Sequence, residues 1–136
     1  MPKISTLACL SILVAACGSD PIPPPTCTGS SCACTPGTAC DIDGSGCAGG
    51  SCTLSCAMDN DCSGTCGNSC SVDCSGGSTC KLTLGPSGSI SCSEGATCDI
   101  RCTDTCSLSC APDATCRLAC GDGALVAVTG SAACPR

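Results

Sequence analysis

The chain has 136 residues, 22 of them Cys, with no His, Trp, Tyr or Phe, so the commonest acid–base side chain and every aromatic ring are missing. Five Lys and Arg stand against eleven Asp and Glu, a formal net charge of −6, which with no ring for bases to stack on excludes nucleic acid as a partner. A cysteine content of this size belongs either to a disulfide scaffold in an oxidising compartment or to a thiolate metal store in a reducing one.

The N-terminus points to the first. Met1 to Lys3 supply a short positive region and Ile4 to Ala16 a mostly apolar run. At about thirteen residues that run is too short to span a bilayer and has the make-up of a signal peptide. It ends in "LVAAC", with Val14, Ala15 and Ala16 before Cys17. Here the chain resembles the bacterial lipoproteins, whose lipobox is an aliphatic residue, two small residues and the Cys that becomes lipidated; Val14 stands where Leu is commoner. The resemblance implies that the Cys17 thiol receives diacylglycerol, that residues 1–16 are removed, and that the new amine is acylated. The partner it implies is the lipid bilayer, reached through the acyl chains on Cys17. Two or three chains on one residue make a stable anchor where one is marginal. In that family an Asp after the lipidated Cys retains the protein at the inner membrane of some bacteria; Gly18 stands there instead, which favours the outer membrane. Plain secretion is the alternative. Cysteine parity distinguishes them: cutting before Cys17 removes Cys9 and leaves 21 Cys, and lipidating Cys17 leaves 20 that can all pair.

Residues 17–29 follow as a tether, in which "GSDPIPPPTCT" has four Pro and little to bury. Such composition makes a semi-extended spacer. Residues 30–134 form the cysteine-rich domain, and residues 135–136 a short tail.

From Cys52 onward the chain repeats every 18 residues, each repeat holding two similar pentapeptides. The first series is "CTLSC" at 52, "CSVDC" at 70, "GSISC" at 88, "CSLSC" at 106 and "ALVAV" at 124; the second is "CSGTC" at 62, "CKLTL" at 80, "CDIRC" at 98 and "CRLAC" at 116, with Cys134 beginning a fifth. Within most pentapeptides the first, third and fifth residues are Cys or aliphatic and the second and fourth polar, the alternation of a strand with one buried face. Cys98, Cys102, Cys106 and Cys110 are also spaced for one face of a helix. A helix, however, turns the central Ile100 or Leu108 about 200° away from its flanking Cys. Five turn-forming residues follow each first-series strand ("SGGST", "SEGAT", "APDAT") and three follow each second-series strand ("GNS", "GPS", "TDT", "GDG"). The expected fold class is therefore all-β: a disulfide-stapled, flattened β-solenoid with 18-residue coils, two short strands per coil and two parallel sheets. Residues 30–44 fit as an earlier coil, giving about six coils and a rod about 25 to 30 Å long at about 4.8 Å per strand. A core this thin buries too little apolar surface to fold without covalent staples.

In a flattened coil the last residue of one strand faces the first of the next across the turn. The five-residue turns then pair Cys34 with Cys40, Cys56 with Cys62, Cys74 with Cys80, Cys92 with Cys98 and Cys110 with Cys116; the three-residue turns pair Cys66 with Cys70 and Cys102 with Cys106. At the turn between Leu84 and Gly88 both partners lack Cys together. Cys27, Cys32, Cys47, Cys52, Cys120 and Cys134 remain, paired in sequence order, and Cys stacked on adjacent coils are an alternative set of vertical bridges. This arrangement is loosely similar, over residues 30–134, to the cysteine-stapled β-helices of insect antifreeze proteins. That family binds ice through a flat Thr-x-Thr ladder, which this sequence lacks. Its nearest counterpart is the outward set Thr53, Ser55, Ser71, Asp73, Ser89, Ser91, Ser107 and Ser109, which makes ice binding a lesser alternative.

Other candidate sites are sparse. "DIDGSG" resembles the start of acidic calcium loops, with Asp41 and Asp43 spaced to give two hard oxygens to one ion but no downstream Glu. On the solenoid reading both Asp, like Asp59, Asn60 and Asp61, simply face solvent. No cofactor is expected, with calcium at Asp41 and Asp43 the candidate outside the thiolates. Lys81, Asp99 and Arg117 fall in one column at 18-residue intervals, so opposite charges alternate, and Arg101 on the same sheet suits an acidic partner. Leu125 and Ala127 stand at outward positions that are polar elsewhere, as in an end strand that is either capped or open to a partner. No catalytic residue emerges, and no Cys is marked out as reactive for disulfide exchange. The expected function is a membrane-anchored, exported structural or surface interaction module with an unidentified envelope or surface protein partner, not an enzyme. The alternative is metal binding, by thiolates or by the acidic loop; one Cys-x-Cys, no Cys-x-x-Cys and an export signal weigh against the thiolate form.

Overall fold

Alternation of Cys or aliphatic residues with small polar ones makes short strands, and the two fixed turn lengths fold those strands into coils. The structure is a computed structural model that describes residues 25–28, 30–43 and 47–135. Cys17, the signal segment 1–16 and the tether up to residue 24 lie outside the described residues, as does Arg136.

Strands β2 (Ser31–Ala33), β4 (Thr53–Cys56), β6 (Ser71–Cys74), β8 (Gly88–Cys92) and β10 (Cys106–Cys110) stack in parallel as one sheet. Strands β3 (Ala39–Asp41), β5 (Asp61–Cys66), β7 (Thr79–Leu84), β9 (Thr97–Cys102) and β11 (Thr115–Cys120) stack in parallel as the other. The chain thus winds through five coils, and from β4 onward every register step is 18 residues, as in Thr53 opposite Ser71 and Cys80 opposite Cys98. The first coil takes 22, since Ser31 stands opposite Thr53 and Ala39 opposite Asp61. Its extra residues include a short 3-10 turn, Cys47–Gly49.

Between the sheets, the inward residues form a single file. Leu54, Val72, Ile90 and Leu108 on one side meet Leu82, Ile100 and Leu118 on the other, all buried, with Cys sulfurs filling both edges. Gly64 breaks the second file: it stands opposite Leu82, with no side chain and a φ of 125°. Ile42, fully buried, occupies the space, and a β-carbon on Gly64 would come within 2.8 Å of its Cγ1. The two buried polar side chains among the described residues both serve the five-residue turns. Asn60, expected to face solvent, is instead buried because its amide accepts from the Thr38 N–H and donates to the Cys34 carbonyl, and Ser78 donates to the Cys56 carbonyl at 3.0 Å. These bonds return what burial of an amide or hydroxyl costs.

At both ends the parallel stack gives way to antiparallel strands. β1 (Thr26–Thr28) pairs with β2 at one end; β12 (Val126–Val128) pairs with β11 and β13 (Gly130–Cys134) with β10 at the other. The segment "ALVAV" therefore does not start a sixth parallel coil, and Cys134 ends a strand of the first sheet instead of beginning one in the second. The reason is local: after Gly121–Gly123 the chain doubles back over β11, with Gly121 and Gly130 in the left-handed region that permits such reversals.

Candidate functional site

Sheet geometry turns residues 53, 55, 71, 73, 89, 91, 107 and 109 outward, and every one of them is exposed. They form two ranks along the rod, Thr53–Ser71–Ser89–Ser107 and Ser55–Asp73–Ser91–Ser109, each residue opposite its counterpart in the next coil. Neighbouring positions in a rank lie one strand spacing apart, about 4.8 Å. Over the last three coils the face is slightly dished, a trough of about 470 Å³ that includes Ser131 and Ala133 of the cap. Asp73 is the only charged side chain in the two ranks, so the face offers hydrogen bonds without a field.

On the other sheet, Lys81, Asp99 and Arg117 do stand opposite one another. Arg117 grips Asp99 with two nitrogens, Nε to Oδ1 at 2.6 Å and Nη2 to Oδ2. Its hydrogen bonds to Asp99, and then that carboxylate's charge, raise the pKa of the Arg117 guanidinium above its ordinary value. Arg117 is half exposed, so the pair orders the surface more than it stabilises the fold. Arg101 faces a different duty from the acidic partner its position suggested. Its Nη1 donates to the carbonyls of Gly121 at 2.6 Å and Gly123 at 3.0 Å, clamping the turn where the chain reverses. Leu125, expected outward, is only half-buried and borders the hollow beside Lys81 and Arg101.

Asp41 and Asp43 are brought together, but as a turn. Asp41 Oδ1 accepts from the Asp43 N–H at 3.0 Å, and Asp43 Oδ1 accepts from the Thr65 N–H of the next coil at 2.5 Å. Both Oδ1 atoms lie about 3 Å from where a Gly64 β-carbon would be, which is a second reason for glycine there. Calcium ligation would compete with those two backbone bonds. Residues 44–46, the remainder of the candidate loop, lie outside the described residues.

The cysteines line the two edges of the flattened coils. Among the described residues nine bridges occur: Cys34–Cys40, Cys56–Cys62, Cys74–Cys80, Cys92–Cys98 and Cys110–Cys116 across the five-residue turns; Cys66–Cys70 and Cys102–Cys106 across the three-residue turns; and Cys47–Cys52 and Cys120–Cys134 at the insertion and the cap. Their Cα–Cα distances run from 5.5 to 6.5 Å, inside the range bridges occupy without moving the backbone. Cys32 is also disulfide-bonded; the side chain of Cys27, its mate in sequence order, lies outside the described ones.

Sulfurs of different bridges approach closely as well. Cys34 Sγ is 3.3 Å from Cys62 Sγ, and Cys32 Sγ is 3.5 Å from Cys47 Sγ. Four trios have all sulfurs within 4.8 Å of one another: Cys32, Cys47 and Cys52; Cys34, Cys40 and Cys62; Cys56, Cys74 and Cys80; Cys102, Cys106 and Cys134. In the bridged state these sulfurs carry no thiolate to give a metal. Their closeness instead makes neighbouring bridges chemically adjacent, a property hidden in the sequence because it depends on which cysteines stack.

Comparison with protein-family models, with curated proteins and with solved structures finds no match. The fold and the cysteine pattern define the class on their own: a disulfide-stapled β-solenoid with a hydroxyl-bearing face, a charged face and capped ends.

Proposed function

We propose that the protein is an exported lipoprotein whose β-solenoid is held at a bacterial membrane by acyl chains on Cys17 and serves there as a structural or interaction module without catalysis. The observation that carries the reading is the state of the cysteines. All 19 cysteines from Cys32 to Cys134 are disulfide-bonded, which leaves Cys27 to complete an even set and Cys17 spare for lipid. A rod stapled in every coil keeps its shape without a thick core, which suits a surface exposed to the outside of a cell. The face with the two hydroxyl ranks is the one best suited to meet an envelope or surface protein, since it needs little desolvation of charge.

Acyl analysis tests the anchor. Intact mass and metabolic labelling with palmitate should place acyl groups on Cys17, and the Cys17→Ser variant should move to the soluble fraction. A Cys17→Ser protein that stays with the membrane, from a wild type without acyl mass, would overturn it.

A further inference from the structure

Four cysteines at the C-terminal cap stack as bridges do at the five-residue turns, where Cys56 stands opposite Cys74 and Cys62 opposite Cys80, but here one of the two ladders is antiparallel. Cys102 and Cys106 are bridged across a three-residue turn, and Cys120 is bridged to Cys134. The strands place Cys102 directly opposite Cys120 in the parallel ladder of β9 and β11, and Cys106 directly opposite Cys134 in the antiparallel ladder of β10 and β13. Four cysteines thus mark the corners of a square, bonded along two opposite sides and merely adjacent along the other two. Cys134 Sγ lies within 4.8 Å of the sulfurs of both Cys102 and Cys106.

Access singles out one corner. Cys120 is exposed, while every other cysteine whose side chain is described is buried. The trios deeper in the rod, such as Cys34, Cys40 and Cys62, are as closely spaced but have no member that an outside nucleophile can reach. Arg101 secures the two glycines that follow Cys120, which keeps this corner in place at the surface.

We propose that Cys120 is a thiol-reactive site, at which a low-molecular-weight thiol opens the cap bridge and re-pairs the square as Cys102–Cys120 and Cys106–Cys134. The exchange balances without any oxidant or reductant. The incoming thiolate bonds to Cys120 Sγ, and the electron pair of the Cys120–Cys134 bond leaves on Cys134 Sγ. That thiolate attacks Cys106 Sγ, forming Cys106–Cys134 and releasing Cys102 as thiolate. Cys102 then attacks the mixed disulfide at Cys120, forming Cys102–Cys120 and returning the small thiol. Opposite residues in such ladders have Cα atoms about 4.5 to 5.5 Å apart, within the span a disulfide bridges, so the backbone can stay where it is. The outcome ties β9 to β11 and β10 to β13, turning bridges within a coil into bridges between a coil and its cap.

The tryptic map of the protein reads this directly. Cleavage after Lys81, Arg101 and Arg117 yields fragments 82–101, 102–117 and 118–136, and in the native pairing each holds only internal bridges. The full-length protein is incubated in a mixture of reduced and oxidised glutathione, quenched in acid, alkylated and digested. Fragments 102–117 and 118–136 should become disulfide-linked, with a glutathione adduct on Cys120 as the early species. Re-pairing should run at least about ten-fold faster than any loss of Cys92–Cys98, whose sulfurs are buried. With Cys102→Ser and Cys106→Ser together, the released Cys134 thiolate can only re-attack Cys120, so the native bridge should re-form and fragments 102–117 and 118–136 should stay unlinked. Wild-type fragments that remain unlinked while Cys120 takes up glutathione would overturn the exchange. Glutathione entering the buried bridges as fast as Cys120 would overturn the site. Neither result depends on whether Cys17 is acylated.

Discussion

Leu84 lies over Gly88 at a three-residue turn that has no bridge: a β-carbon on Gly88 would stand 3.0 Å from Leu84 Cβ and 3.3 Å from its Cδ1. Leu84 is fully buried and stands opposite Cys66 and Cys102 in the neighbouring coils. An aliphatic side chain thus takes the volume that a disulfide fills above and below it. Leu84→Ala should cost about 2 to 5 kcal/mol, as large-to-small changes in packed cores do. Gly88→Ala should destabilise by overpacking. Leu84→Cys with Gly88→Cys should instead close a further bridge and recover much of the loss. Thermal unfolding and intact mass check this; free thiols in the folded double variant would contradict it.

Gly64 and Ile42 share one site in the core, so their substitutions should not add. Gly64→Ala combines a left-handed backbone with a contact of 2.8 Å and should cost about 1 to 3 kcal/mol, the range of overpacking. Trimming the neighbour with Ile42→Ala should relieve part of the clash while opening a cavity of its own. A double-mutant cycle from denaturant unfolding measures the coupling, expected at about 1 kcal/mol or more for residues in contact. Strict additivity would mean that the two side chains do not compete for the same space.

Arg101 acts as a clasp on the reversal after β11. Arg101→Ala removes two charge-assisted bonds to the carbonyls of Gly121 and Gly123. Partial exposure reduces their worth to about 1 kcal/mol. The effect should be confined to the cap: faster amide exchange at residues 121–128, with β6 to β9 unaltered. Uniform acceleration through all five coils would instead place Arg101 in the stability of the whole rod.

The antiparallel ends should govern self-association. Deleting residues 124–136 with Cys120→Ser, so that no thiol is stranded, uncovers β10 and β11 as open parallel edges. Unpaired edges recruit further strands, so sedimentation should show concentration-dependent oligomers where the full chain gives none. A truncated protein that remains monomeric at high concentration would show that β12 and β13 are dispensable for this purpose.

Much of this architecture is legible in the residues. Cys and aliphatic side chains at every second position, as in "CDIRC", give both strands and their inward faces, and turns of five and three residues place each cysteine against the next. The seven turn-base pairs derived that way all occur. What the pattern does not carry is strand direction. "ALVAV" and "GSAAC" alternate as well in an antiparallel cap as in another coil, and "GDG" at 121–123 resembles the earlier three-residue turns. The clue lies in what accompanies them: apolar residues at outward positions 125 and 127, and a gap of 14 residues between Cys120 and Cys134 where other bridges span 4 to 6. Arg101 misleads for a related reason. A charge on an outward column suggests a partner, but its partner is a carbonyl pair 20 and 22 residues away, set by the reversal itself.

Each bridge among the described residues joins a cysteine to the next one along the chain, from Cys34 with Cys40 to Cys120 with Cys134. For a polypeptide threading through a narrow pore N-terminus first, that order is decisive. Every second cysteine to emerge finds its native mate already waiting and no later competitor in reach, so oxidation in order of arrival produces the finished pairing without proofreading. Only the last pair, 14 residues apart, keeps the machinery waiting.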